Sequence, residues 1–123
     1  DLGRMINPDT VEAQIQSSIV FGLGAALWGE ITVANGRVQQ TNYNDFRVMR
    51  MHEVPQIDIH LVQSTEKPGG IGEPACALVV PAVANAVFNA VGVRVDELPI
   101  TPEKVLRGIR AIGGARPQAR RGG

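Results

Sequence analysis

The segment Gly69-Gly70-Ile71-Gly72-Glu73-Pro74-Ala75 delivers one carboxylate from a run of glycines into a long apolar, alanine-rich stretch. Three glycines allow a ligand to pass close to the backbone and open positive φ, while Pro74 suits the first position of a helix, so Glu73 is expected at the N-cap. Free amides at a helix N-terminus can hold an anion or an oxyanion. An ordinary surface loop entering a helix carries the same pattern, and spacing alone does not separate the two. The neighbouring candidates are weaker. Cys76 stands between two alanines in the apolar run, where a packed thiol is the usual outcome. His52 and His60 lie eight residues apart with Pro55 between them, and no His, Cys or Asp cluster has metal-ligand spacing. Ser17 and Ser18 lack a neighbouring histidine, which argues against a hydrolase built on either serine and Glu73. Gln14 by itself reads as a polar residue on a helix flank.

Read together with Asn7-Pro8, Gln14, Phe21-Gly22-Leu23-Gly24 and Pro81-Ala82-Val83-Ala84-Asn85-Ala86, the glycine–glutamate segment resembles the C-terminal part of the molybdenum-binding subunit of the molybdenum hydroxylases, the xanthine dehydrogenase/aldehyde oxidase superfamily. Asn-Pro-Asp-Thr-Val-Glu-Ala-Gln and Gly-Gly-Ile-Gly-Glu-Pro are most similar to the isoquinoline oxidoreductase and related aldehyde dehydrogenase branch. The likeness runs from Asp1 to about Ile109 and leaves only the Arg/Gly tail outside. It implies an enzyme that hydroxylates an N-heteroaromatic or aldehyde substrate with water as the oxygen source, using a pterin-bound molybdenum. Glu73 falls on the family's general base, which activates a molybdenum-bound hydroxide, and a placed base contributes about 10² to 10⁴-fold to rate. Gln14 falls on the glutamine beside the cofactor, and Gly72 is expected to approach the cofactor too. The metal is expected to be held through the cofactor's dithiolene sulfurs, with no ligand from this chain. Ser17 and Ser18 depart from the family's glycines or Glu-Gly pair, keeping small side chains but changing the backbone contact available there. Tyr43 to Arg50 resembles the family's Asn-Tyr-Asp-Tyr-Arg segment with Phe46 in the second aromatic place; it suits a substrate funnel, or a turn pinned by an Asp/Arg pair.

Composition limits what such a chain does alone. With 123 residues, 44% of them hydrophobic, it can bury one modest core and is too short for a whole molybdenum hydroxylase. It is expected to be inactive without the remainder of the molybdenum-binding subunit, and its abrupt start suggests a fragment or a separately encoded piece. Twelve basic and twelve acidic residues cancel, giving no general attraction to nucleic acid or anionic membranes. One cysteine excludes an internal disulfide and an iron–sulfur cluster ligated by this chain's cysteines, so the iron–sulfur clusters that the resemblance implies belong to a partner chain. Ala75–Val91 is apolar but interrupted by Pro81, Asn85 and Asn89, which favours a buried helix over a membrane span. No signal peptide is visible, and bacterial cytoplasm and periplasm both stay open. A rival of another class is a non-catalytic structural or interaction module that keeps the family fold.

The elements that must hold these residues follow from punctuation. Asn7-Pro8 starts a helix over about residues 9–28, with Val11, Ile15, Ile19, Leu23 and Leu27 on its apolar face. Gly22 and Gly24 flatten it for a neighbouring helix or a cofactor. Ile31–Val33 and Arg37–Thr41, joined by Asn35-Gly36, predict a hairpin, and the alternation Ile57, Ile59, Leu61 against Asp58 and His60 predicts a third strand beside it. A helix from Glu73, kinked or divided at Pro81, is expected to end at Gly92. Thr101-Pro102-Glu103 begins a last helix with Val105, Leu106 and Ile109 facing inward. The sum is an α+β portion of a cofactor-binding domain, two or three antiparallel strands on about three helices, over residues 1–112, followed by a disordered basic tail over 113–123.

Overall fold

The chain is described by a computed structural model covering residues 2–114. Three helices and one hairpin follow in the order α1 (Pro8–Leu27), β1 (Val33–Ala34), β2 (Arg37–Val38), a 3-10 turn at Met51–Glu53, α2 (Pro74–Val91) and α3 (Pro102–Gly114). The class is α+β, with two strands.

Helix α1 starts because Asn7, in extended conformation, accepts the Thr10 amide at 3.3 Å through Oδ1 while Pro8 occupies the first turn. It packs along α2 through small residues. Its buried positions are Val11, Ser18, Gly22 and Ala26, while Ile15, Ile19, Leu23 and Leu27 are half-buried. The contact face is thus rotated from the four-residue apolar row toward the small side chains. Gly22 is the reason: a Cβ there would stand 2.7 Å from Val79 Cβ and 3.1 Å from the Cys76 carbonyl oxygen, closer than atoms pack. The alternative expected for this glycine, a helix neighbour, is what the structure contains, whereas a Cβ at Gly24 would meet nothing within 4 Å.

Helix α2 begins with Glu73 at the N-cap and Pro74 at its first turn, and runs through Pro81 undivided. It ends at Gly92, whose φ of +73° is the left-handed cap that glycine adopts without strain, its N–H donating to the Phe88 carbonyl at 2.8 Å. The expected burial is not met: Val79 is the helix's one buried residue, and Leu78 is 68% exposed. By length and composition α2 also reaches what a membrane span requires, with a mean hydropathy of 1.7, despite its proline and asparagines. Core helices of larger bodies pass the same test, because both solvents are apolar.

The third expected strand does not form. Residues 57–61 keep the alternation, with Ile57, Ile59 and Leu61 half-buried and Asp58 and His60 exposed, but their backbone joins no ladder, with the hairpin or otherwise. The hairpin pairs Val33 with Val38 and Ala34 with Arg37 around Asn35-Gly36, both residues at positive φ, and its four strand residues are exposed.

After α2 the chain returns to the end of α1, where Ile100 donates to the Ala26 carbonyl at 2.7 Å. Val93 and Ile100 are buried there. Gly108 brings α3 onto Val93, since a Cβ would lie 2.3 Å from its Cγ1. Thr101 accepts the Lys104 amide at 3.4 Å as expected of a cap. Of the three residues expected to face inward, only Val105 is half-buried; Leu106 and Ile109 are 46% and 40% exposed, because α3 packs through its glycine. Gly113 and Gly114 belong to its last turn, and the tail expected to be disordered lies, from residue 115, outside the described residues.

Candidate functional site

The glycine loop is tied down at both ends. Residues 2–4 run beside 66–69, Arg4 donating to the Glu66 carbonyl at 3.0 Å and Gly69 to the Leu2 carbonyl at 2.8 Å. Gly3 makes this approach possible, with φ at +73° and no space for a Cβ, which would fall 2.1 Å from the Lys67 carbonyl oxygen. At the far end Gln14, on α1, donates from Nε2 to the Gly72 carbonyl at 2.8 Å across 58 residues of sequence. The structure therefore brings Gln14, Gly72 and Glu73 together at the start of α2. The positive φ expected for the site glycines is absent: Gly3, Gly36 and Gly92 adopt it, and Gly69, Gly70 and Gly72 do not. What those last glycines provide is room. A Cβ on Gly70 or Gly72 would have no neighbour within 4 Å.

Glu73 has φ −121° and ψ −21°, is exposed, and makes no side-chain bond to the helix it caps. Its carboxylate is thus not consumed by capping, the ordinary structural use of an acidic N-cap. Two residues further on, Ala75 opens an apolar groove of about 600 Å³ between the two long helices and residues 55–58, lined by Ile19, Leu23, Ile57, Leu78 and Val83 among others. Cys76, expected in the core, is half-buried. Ser18 is buried and Ser17 exposed.

The aromatic and charged loop is a pinned turn, fastened by partners other than the expected Asp/Arg pair. Asp45 accepts the amides of Asn42 at 2.8 Å and Thr41 at 3.0 Å, and these bonds hold its carboxyl below the usual aspartate range. Arg47 instead ion-pairs with Glu53 and stacks on Trp28, 4.3 Å from the ring centroid. The Glu53 carboxyl is likewise lowered, first by the Arg50 amide that it accepts at 2.8 Å and then by the Arg47 charge. Trp28 and Glu53 escaped the sequence reading because neither belongs to a motif. Tyr43 is 76% exposed.

Whether these residues suit a pterin cofactor turns on donors and space. Gln14 keeps an acceptor in Oε1 when Nε2 is bonded to Gly72, and the open glycine loop leaves backbone groups approachable. Among the described residues no three His, Cys, Asp or Glu side chains gather. No buried polar side-chain atom among the described residues lacks a partner, which leaves room and exposed hydrogen-bonding groups as the features that fit.

Comparison with known proteins bears on the same region. Residues 1–55 match the model of a molybdopterin cofactor-binding domain. The chain is 40% identical over 110 residues to the membrane-bound aldehyde dehydrogenase [pyrroloquinoline-quinone] of Gluconacetobacter polyoxogenes, covering 89% of this chain and 14% of that one. It is 35% identical over 102 residues to the isoquinoline 1-oxidoreductase beta subunit of Brevundimonas diminuta, covering 83% of this chain and 13% of the relative. The crystal structure of quinoline 2-oxidoreductase from Pseudomonas putida 86 superposes with a TM-score of 0.80 at 31% identity, over 95% of this chain and 16% of that one. The chain thus spans about a seventh of the length of the curated relatives it matches. A match of this kind along nearly the whole chain, carried by both sequence and fold, means that the protein belongs to the molybdenum hydroxylase family as a portion of the molybdopterin-binding subunit.

Proposed function

We propose that this chain supplies the general base and part of the cofactor contact of a molybdenum-dependent hydroxylase acting on an N-heteroaromatic or aldehyde substrate. The observation that carries the reading is the bond from Gln14 to Gly72, which gathers the family's glutamine, glycine and glutamate at one helix start. The molybdenum–pterin group, when bound, supplies a two-electron oxidant and a Lewis acid. Glu73, uncommitted to its helix, accepts the proton of the attacking water-derived oxygen at a carboxylate oxygen. Gln14 offers Oε1, and Gly72 open backbone, to the cofactor. Iron–sulfur clusters reside on a partner chain, and the rest of the molybdenum-binding subunit completes the site and covers α2.

A second reading, a structural or interaction module without chemistry, draws support from the exposure of Glu73 and of most of α2. The experiment is on the complete purified complex: extract its cofactor, then run turnover in ¹⁸O-labelled water. Molybdenum and pterin together with label in the product are expected. A complex that yields neither molybdenum nor pterin, or that yields pyrroloquinoline quinone in their place, overturns the hydroxylase reading.

A further inference from the structure

We propose that Gln14 is a positioning residue for Glu73, acting through the backbone of Gly72; the inference rests on Glu73 being the base. The Gly72 carbonyl and the Glu73 amide belong to one rigid peptide plane, so a bond that fixes the carbonyl oxygen also fixes the plane from which the Glu73 side chain departs. Little else holds that plane. Gly72 has no side chain and no packing where a Cβ would be, and Glu73 makes no capping bond of its own. Across residues 69–72 three of four positions are glycine, the residue with most backbone freedom to lose. The segment is fastened at Gly69 by Leu2 and at Gly72 by Gln14, each at 2.8 Å.

The donor itself is carried by a firm support. Gln14 sits on a 20-residue helix that is locked to α2 where Val79 occupies the notch left by Gly22. The two ends of the arrangement, a donor on α1 and a base at the head of α2, are therefore held at fixed distance by the same helix pair. An amide committed through Nε2 still accepts through Oε1, so contact with a cofactor and control of the base can reside in one side chain. A reacting group displaced by about 1 Å can lose on the order of a hundredfold in rate, which is the scale on which such a tether matters.

The test compares Gln14→Glu and Gln14→Met with wild type in the complete, cofactor-loaded complex. The glutamate keeps shape and an acceptor but, ionised, cannot donate; the methionine has neither group. Both variants are expected to speed hydrogen–deuterium exchange over residues 69–76, and Gln14→Glu, which keeps the acceptor offered to the cofactor, to hold normal molybdenum and pterin. They should also lower kcat by about tenfold or more with KM little changed, as misplacement of the base requires. Unchanged exchange over 69–76 in both variants overturns the proposal, whether or not cofactor is lost. So does a Gln14→Glu enzyme that matches wild type while only Gln14→Met is impaired, since the acceptor alone would then matter. Glu73→Gln run alongside separates the underlying reading: full turnover there removes the base, whereas the exchange data decide the tether independently.

Discussion

Asp45 and Glu53 are carboxylates whose surroundings favour the ionised form, and both serve the turn between the hairpin and the 3-10 helix. Asp45 is lowered chiefly by the amides of Asn42 and Thr41, Glu53 by the amide of Arg50 and then by Arg47. A carboxyl whose folded pKa is depressed stabilises the fold fully above its unfolded value, and the contribution disappears as pH falls through the folded value. Their ordinary values are 3.8 and 4.5, so the turn is expected to hold above pH 4.5 and to loosen only below it. Trp28 is the chain's single tryptophan and carries Arg47 on its face, so its fluorescence reports the event. The acid transition should lie below pH 4.5, and Glu53→Gln should remove the Glu53 part of it. A transition centred above that pH would contradict the assignment. At the site, Glu73 was legible as an N-cap because Gly-Glu-Pro is a local signal, whereas the Gln14–Gly72 bond spans 58 residues and carries no local mark.

At the scale of the elements, the contact between α1 and α2 depends on one missing methyl group. Gly22→Ala would push a Cβ against Val79, and since neither helix backbone can yield cheaply, a loss of about 1–3 kcal/mol is expected, the usual cost of overpacking. Gly24→Ala two residues along meets open space and should instead gain up to about 1 kcal/mol from helix propensity. Thermal unfolding of the two variants side by side checks the pair; equal shifts of the same sign would mean that the helices do not meet at Gly22. Helix starts and ends could be read from the sequence because Asn7-Pro8, Glu73-Pro74, Gly92 and Thr101-Pro102 act within one turn. The hairpin could be read for the same reason, from Asn35-Gly36. The strand expected at 57–61 could not be judged that way, since alternation describes a face and a strand also needs a partner for its backbone. The packing face of α1 was missed by one step of rotation because hydrophobicity pointed to Ile15 and Ile19, while close approach selects Ser18, Gly22 and Ala26.

The molecule as a whole leaves much apolar surface open: the outer face of α2 at Leu78, and α3 at Leu106, Ile109 and Ile112. Only five hydrophobic residues among those described are buried, namely Val11, Ala26, Val79, Val93 and Ile100, a small core for three helices. Such surface is unfavourable in water and is what a portion of a larger body would present. The separate 123-residue chain is therefore expected to bind a hydrophobic dye and to self-associate, while α2 amides exchange far more slowly in the complete complex. Equal exchange in both settings would mean that nothing covers α2. The base assignment itself is tested most directly by single-turnover reduction of the metal centre in the assembled complex, wild type against Glu73→Gln, without oxygen and with molybdenum and pterin measured in both. Reduction by heteroaromatic and aldehyde substrates slowed by about a hundredfold or more at equal cofactor content is the expected result for a lost general base. Reduction at the wild-type rate would contradict it and leave the chain a scaffold.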